Sequence, residues 1–559
     1  MLHDLTRRTL IKAAGGLTML GQPFGGWEPP ARPRPALAGA TTLDADSAPA
    51  DGIQDDLPAF TAAFKATPAG GVMHIPMGTY RLSGPLLIDR TITLSLEAMT
   101  IRADQGFANV TADNVSILGA GGRKTVINQS ATWQPTGNDH WNLQVFGVDG
   151  FSIEGVGFDI FTDGPTVSIT TTGAIIIRDN AARQVGSTNF EVTACWFRTR
   201  GSAPGTNNRF FGIFSGPPVG KTFNSGGRVL NNVFQQCKGR NVEFGYTRNA
   251  VAMGNVFLAL GEDGAINDAG GIAFRILAGE NISVIGNVIE APATNSGFYG
   301  ININGNWLNR NIVVSGNVIR SSAALGAGCY GMRICNARGI SIVGNRVWYE
   351  GNAPDSHGIL VYTNKNFPCD NVLIDGNWVE GWQGLQIGIA ENAGVIATGI
   401  VARNNHTTSA AHRYGTNNPD LLTNRVDFSE GHRQTLYGWS VTQQVGAGIT
   451  SAPFSDGITP RGRLMPRGGS ITALAVSLAV NPAGILTVGA QYSRDGGATW
   501  RPLSGCEVVL PAGATAASMA FMPGAYRYDA GDLIRLTMSS NVARGQAGEG
   551  IEACLEIET

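Results

Sequence analysis

Side chains that could carry chemistry concentrate between residues 243 and 362. Glu243, Asp263 and Asp268 form one group. Two carboxyls held ~5–9 Å apart can flank a glycosidic bond, one as acid and the other as base or nucleophile. Tyr330, His357 and Arg333 form another group. A phenol or imidazole beside a guanidinium can take a proton next to a carboxylate that the guanidinium neutralises, which is the chemistry of a lyase on a uronate. Arg275, Asn302, Asn304 and Tyr362 add forked donors, amides and a phenol suited to holding a substrate. Glu262 and Asp355 lie beside these groups. Sequence distance alone brings none of them together, so a scaffold must.

That scaffold is written in a recurring phrase. Gly254-Asn255, Gly286-Asn287, Gly316-Asn317, Gly344-Asn345 and Gly376-Asn377 follow one another at intervals of 32, 30, 28 and 32 residues. A degenerate copy, Asn404-Asn405, comes 28 residues later. Alternating runs such as Ile282-Ser283-Val284 and Ile340-Ser341-Ile342 precede the phrase. Alternation at period two is strand, and a fixed interval of this length means stacked coils. The repeated Asn is read as a stacked, inward-turned amide that satisfies buried polar groups, and so as scaffold.

Each coil holds a second, Gly-led strand: Gly271-Ile272, Gly300-Ile301, Gly331-Met332, Gly358-Ile359 and Gly384-Leu385. If the first and third residues after Gly point inward, the second position down the stack reads Glu243, Ala273, Asn302, Arg333, Leu360 and Gln386. The fourth reads Gly245, Arg275, Asn304, Cys335, Tyr362 and Gly388. Tyr299, Tyr330 and His357 occupy one position in three successive coils and should stack at a corner. On the other strand, Glu290 and Arg320 should form a surface ion pair of little worth.

Upstream, Asp51-Gly52-Ile53-Gln54-Asp55-Asp56 precedes a short helix predicted over 57–65, then Gly70-Gly71, a strand, and Pro76-Met77-Gly78-Thr79-Tyr80. This stretch resembles the opening of the pectate-lyase-like superfamily, which includes polygalacturonases, rhamnogalacturonan-active enzymes and phage tailspikes. The resemblance implies a right-handed parallel β-helix closed at one end by a capping helix, and action on polysaccharide. Asp55 and Asp56 are expected to cap that helix. Adjacent catalytic Asp residues within the helix body, Gly-His-Gly and Arg-Ile-Lys are all missing, which speaks against galacturonan hydrolysis. Calcium-pectate-lyase signatures are missing too. Long spacers between Asn128 and Lys221 carry Trp133, Trp141, Phe210, Phe211 and Phe214, read as core or as sugar platforms.

The chain has 559 residues, 76 of them Gly without a triplet period, which excludes collagen and favours a turn-rich β protein. Thr6-Arg7-Arg8-Thr9-Leu10-Ile11-Lys12 and the short apolar run after it resemble a bacterial twin-arginine signal over residues 1–40, implying a periplasmic or extracellular protein. The run is too short for an integral membrane span. Removing residues 1–40 takes away five basic and two acidic side chains and moves the net charge from −2 to −5, against a nucleic-acid partner. No cofactor is expected; calcium stays open without a motif. Cys506 with Cys554, and Cys329 with Cys335, could pair; with no Cys-x-x-Cys zinc pattern, small buried residues or optional disulfides are the better reading.

The expected domains are a β-helix over 41–405, a linker or cap over 406–459 and an antiparallel β-sandwich over 460–559, similar to small jelly-roll modules. Trp500 and Tyr526 are read there as core or glycan platforms. The expected function is cleavage of a polysaccharide, acidic by preference, by hydrolysis or elimination. A non-catalytic glycan-binding surface protein, a uronate epimerase and a homotrimeric assembly stay open.

Overall fold

In a computed structural model the described residues are 41–43, 47–129, 139–161, 171–200, 209–216, 222–237, 239–259, 271–291, 298–305, 307–322, 329–351, 356–363, 369–390, 395, 397–407, 414–416, 425–426, 434–441, 452–453, 463–464, 469–480, 482–521, 525–529, 531–541 and 549–558. Three parallel sheets wind through residues 41–426, with 15, 13 and 12 strands among the described residues. Every strand pairs with its copies in the coils above and below. The fold is therefore a parallel β-helix, right-handed as parallel crossovers are.

One coil shows the plan. Tyr299–Ile303 lies in the third sheet, Asn309–Ser315 in the first and Val318–Ser321 in the second. Between the last two, Gly316 turns the corner at φ +64°, a left-handed conformation that a side chain disfavours. Asn317 then points inward, fully buried. Its Nδ2 donates to Asn345 Oδ1 at 2.9 Å and to the Val284 carbonyl at 2.9 Å, while its Oδ1 accepts from Asn287 Nδ2 at 2.8 Å. The same bonds run from Asn232 to Asn405. The repeated Asn is thus a hydrogen-bonded spine.

Inside, Val and Ile of all three sheets form one core, threaded by stacked rings from Phe158 through Phe197 and Phe234 to Phe257. The helix Leu57–Ala66 closes the first coils by burying Phe60 and Phe64 against that core. Its start differs from the expected pair of caps. Asp55 accepts the Leu57 N–H at 3.2 Å and the Ser83 hydroxyl and N–H. Asp56 makes no side-chain cap; it accepts the Arg81 N–H at 2.9 Å and ties the helix to the strand Gly78–Leu82. Burial raises the Asp56 carboxyl above its usual range.

The described strands between residues 406 and 459 divide between the two folds. His406–Thr407, Tyr414–Thr416 and Arg425–Val426 extend the three helix sheets, whereas Gln434–Val441 and Ala452–Pro453 pair with C-terminal strands. Those strands form two antiparallel sheets around a shared core that includes Leu474, Val488, Val508, Leu536 and Leu555. Cys335 and Cys506 are buried free thiols, so neither suggested disulfide forms. Burial pushes the Cys506 thiol up to about 12. Among the described residues no helix is long and apolar enough to cross a membrane.

Candidate functional site

The outer face of the third sheet gathers most of the candidate residues. Its inward columns are apolar: Val242, Phe274, Ile301, Met332 and Ile359 are buried in register. One position earlier the chain is small or hydrogen-bonded, as Asn241, Ala273, Gly300, Gly331 and Gly358. A Cβ at Gly331 would stand 2.3 Å from Val347 Cγ1 and 2.6 Å from the Gly358 carbonyl, so no side chain fits. With two consecutive positions turned inward, the next residue faces out.

That outward column reads Glu243, Arg275, Asn302, Arg333, Leu360 and Gly388 in direct pairing. The expected columns were out of phase by two residues at Arg275 and Gly388. The strand containing Arg275 begins at Ile272, and buried Ala273 takes the place of the leading Gly. Arg275 therefore stands between Glu243 and Asn302, not beside Asn304 and Tyr362. Ala273 and Gln386 point inward and are fully buried.

Glu243 is 1% exposed. Its Oε2 lies 3.2 Å from Arg240 Nη1 and 3.5 Å from Arg275 Nη1. Arg240 in turn packs over Phe211 at 5.4 Å. The carboxylate is engaged in holding two guanidiniums. Asp263 and Asp268, its expected partners, and Glu262 and Asp355 lie outside the described residues.

Arg333 is set differently. Its guanidinium lies over the rings of Tyr362, Tyr330 and Tyr299 at 5.0, 5.6 and 6.0 Å. Among the described residues it has no carboxylate partner. The Nε of Arg333, the Nε of Arg275 and the Oδ1 of Asn302 are all buried without a hydrogen-bond partner. Elsewhere the outer charges find each other. Arg320 bridges Glu290 at 3.4 Å and Glu350 at 3.0 Å on the second sheet, and Arg338 meets Asp370 at 3.0 Å on the first. Along this stretch of the third sheet, Arg240 and Arg275 meet Glu243, and Arg333 meets no carboxylate among the described residues.

Tyr299, Tyr330 and His357 stack at one edge of this column, with ring centres 5.0 and 5.5 Å apart. His357 Nδ1 accepts the Leu385 N–H at 2.9 Å, which places the imidazole proton on Nε2. The imidazole is thereby a donor at Nε2. Cys335 pairs with Tyr362 along the ladder and is buried, which raises its thiol. Asn304 follows the strand Tyr299–Ile303 and is half-buried.

Upstream on the same face, Trp141, Ile176, Phe211 and Phe214 form a separate buried cluster, with Phe211 and Phe214 rings 4.7 Å apart. These aromatics are packing, not open platforms. Trp133 and the Phe210 side chain lie outside the described residues. In the sandwich, Trp500 lies under the Arg535 guanidinium at 4.1 Å, and Tyr526 packs on Phe521. Two residues on or beside the third sheet escaped sequence reading. Arg240 is masked by its position before a strand lacking the leading Gly. Trp307 sits in a corner loop with no repeat to mark it, and is 59% exposed. Among the described residues no group of three or more His, Cys, Asp and Glu is placed to hold a metal ion.

No family model and no curated protein sequence matches this chain. Among solved structures it is similar to the tailspike protein of E. coli bacteriophage HK620 in complex with a pentasaccharide, at 12% identity over 90% of each chain and a TM-score of 0.45. It is similar to the A-module of the Azotobacter vinelandii mannuronan C-5 epimerase AlgE4, at 13% identity over 69% of this chain and 98% of that one, with a TM-score of 0.38. A third is PfbA, a surface adhesin of Streptococcus pneumoniae, at 14% identity over 68% of this chain and 93% of that one, with a TM-score of 0.32. At such values the likeness is one of chain path and says nothing of activity.

Proposed function

We propose that this protein is exported and acts on an acidic polysaccharide laid along the outer face of the third sheet, cleaving it by β-elimination. The observation that carries the reading is Arg333: a guanidinium caged by three tyrosine rings, with a buried unpaired Nε and no carboxylate partner among the described residues. A sugar carboxylate is the natural counter-ion for such a fork. Arg275, two coils away, offers a second guanidinium, one arm of which lies 3.5 Å from Glu243.

In this scheme Arg333 pairs with the uronate carboxylate and stabilises the negative charge that builds as H5 leaves. Tyr330, as phenolate, takes H5. The C5–H electron pair forms the C4=C5 double bond, the C4–O4 bond breaks, and Tyr330 returns the proton to the departing O4. His357 keeps the Tyr330 ring in place and donates from Nε2. The Arg7-Arg8 pattern at the N-terminus supports export by the twin-arginine route.

A second reading, glycan binding without cleavage, draws on Glu243. The only carboxylate described in the column is buried between two guanidiniums, where it serves as a strut. One assay separates the readings. The mature protein is incubated with neutral and acidic polysaccharides while ultraviolet absorbance and reducing ends are followed together. Elimination raises both. Reducing ends without absorbance mean hydrolysis and overturn the Tyr330 scheme. Neither signal, with saturable binding, leaves a glycan-binding protein.

A further inference from the structure

The third-sheet face changes character with every coil. Arg275 and Arg333 stand two coils apart, with Asn302 between them in direct register. At the usual strand spacing the two guanidiniums recur at about 10 Å. Their unpaired buried atoms alternate in kind. Arg275 Nε and Arg333 Nε are donors without an acceptor, and Asn302 Oδ1 is an acceptor without a donor. Asn302 is 5% exposed, so this orphaned oxygen is not simply served by bulk water.

The corners that follow these strands alternate too. After Arg275 the chain turns on Ala278 and Gly279, and after Arg333 on Asn336. After Asn302 it turns through a longer loop that carries exposed Trp307. The indole reaches the Tyr246 ring at 6.1 Å, and Tyr246 meets Phe223 at 5.7 Å. Tyr246 belongs to the coil before Arg275, so the two rings meet across the small Ala278–Gly279 corner. The middle coil thus pairs an amide with an open aromatic ring, between two coils that each pair a guanidinium with a small or polar corner.

We propose that the ligand of this face is an acidic polysaccharide in which charged and uncharged sugars alternate, carboxylates on Arg275 and Arg333 and an uncharged sugar on the Asn302–Trp307 coil. The inference rests on reading the third sheet as the polysaccharide site. An extended pyranose chain advances by about one coil spacing per sugar, so each coil meets one unit. A chain charged at every sugar, with all its carboxylates turned to the sheet, would place one at Asn302 and the indole, away from a cation, at a desolvation cost. A carboxylate also has no proton for Asn302 Oδ1. A hydroxyl or an acetamido N–H has one, and the sugar's C–H face suits the indole.

The test is a titration of the mature protein, by calorimetry, with size-matched oligosaccharides. One alternates uronate with N-acetylhexosamine, one is a homopolymer of uronate, and one is the alternating compound with its carboxyls reduced. The alternating compound is expected to bind about tenfold or more tighter than the homopolymer. Carboxyl reduction should remove most of that affinity. Trp307→Ala should weaken the alternating compound several-fold and leave the homopolymer unchanged. Arg333→Gln and Arg333→Lys should both weaken acidic ligands, with folding of each variant checked by its melting profile. Equal affinity for both acidic compounds, with Arg333→Gln weakening both, refutes alternation and keeps the site. No saturable binding to either acidic compound, or no effect of Arg333→Gln, overturns the site and the alternation together.

Discussion

A half-buried guanidinium without a counter-ion is costly to hold, and at Arg333 the π faces of Tyr299, Tyr330 and Tyr362 offset that cost. The same rings keep the fork aimed outward and leave its charge to a ligand. If Tyr330 moves the proton, Tyr330→Phe keeps the ring stack and loses the reaction. The rate of absorbance increase on the preferred polysaccharide should fall about 10²- to 10⁴-fold, with KM and melting temperature little changed. Arg333→Gln should raise KM and lower kcat together, because the pairing acts in binding and grows as charge develops. The gathering of the candidate residues was legible in sequence: Glu243, Arg275, Asn302, Arg333, Tyr330 and His357 all lie on one sheet face or at its edge. The phase of Arg275 was not. Gly271 looked like the leading Gly of its coil, but the buried small residue level with Gly300 is Ala273, inside the strand. Trp307 gave no signal at all, because a corner loop has no period to betray it.

At the scale of the element, the Asn spine carried the clearest signal in the chain and met it bond for bond. An amide that donates to the next amide and to a carbonyl, and accepts from the one before, has to recur at every coil, and that requirement makes the phrase repeat. Breaking it in the middle should be severe. Asn317→Ala takes the acceptor from the buried Asn287 N–H and Nδ2 and the amide donor from Asn345 Oδ1 and the Val284 carbonyl. At about 1–3 kcal/mol for each unsatisfied group, a loss of about 3 kcal/mol or more is expected in urea unfolding. The two Asp residues before the helix should part company. Asp55→Ala removes the acceptor for Leu57 N–H and Ser83 and should cost about 1 kcal/mol. Asp56→Asn keeps an acceptor for Arg81 N–H and removes a charge that burial disfavours. Because the folded carboxyl titrates above its unfolded value, the wild type loses stability as pH rises through that window, and the Asn variant should not. Thermal melts from about pH 4 upward check the sign. The sequence could place these carboxylates at the helix start but not divide their roles, which depend on a strand 25 residues further on.

At the scale of the molecule, the coil interval made the β-helix readable, and alternation with turn signals did the same for the sandwich. The junction was less readable, since residues 406–453 contribute strands to both and follow neither rhythm closely. Acid should probe the sandwich apart from the helix. Asp495 is held below the usual carboxylate range by the Thr499 hydroxyl first, then the Thr499 N–H and the Ser493 hydroxyl, in the turn between Leu486–Ser493 and Arg501–Leu510. A depressed carboxyl gives stability that is present above its unfolded value and lost as pH falls below it. Asp495→Asn should therefore flatten the acid limb below about pH 4, read from the near-ultraviolet signal of Trp500.

The central claim is a place and a chemistry: an acidic polysaccharide on the third sheet, its carboxylate on Arg333. A crystal structure of the Tyr330→Phe protein with an acidic oligosaccharide tests it most directly. The expected result is a sugar chain parallel to the helix axis with one carboxylate forked on Arg333 at about 2.8 Å. A chain bound to the first or second sheet, or to the sandwich alone, with Arg333 still without an anion, contradicts the account.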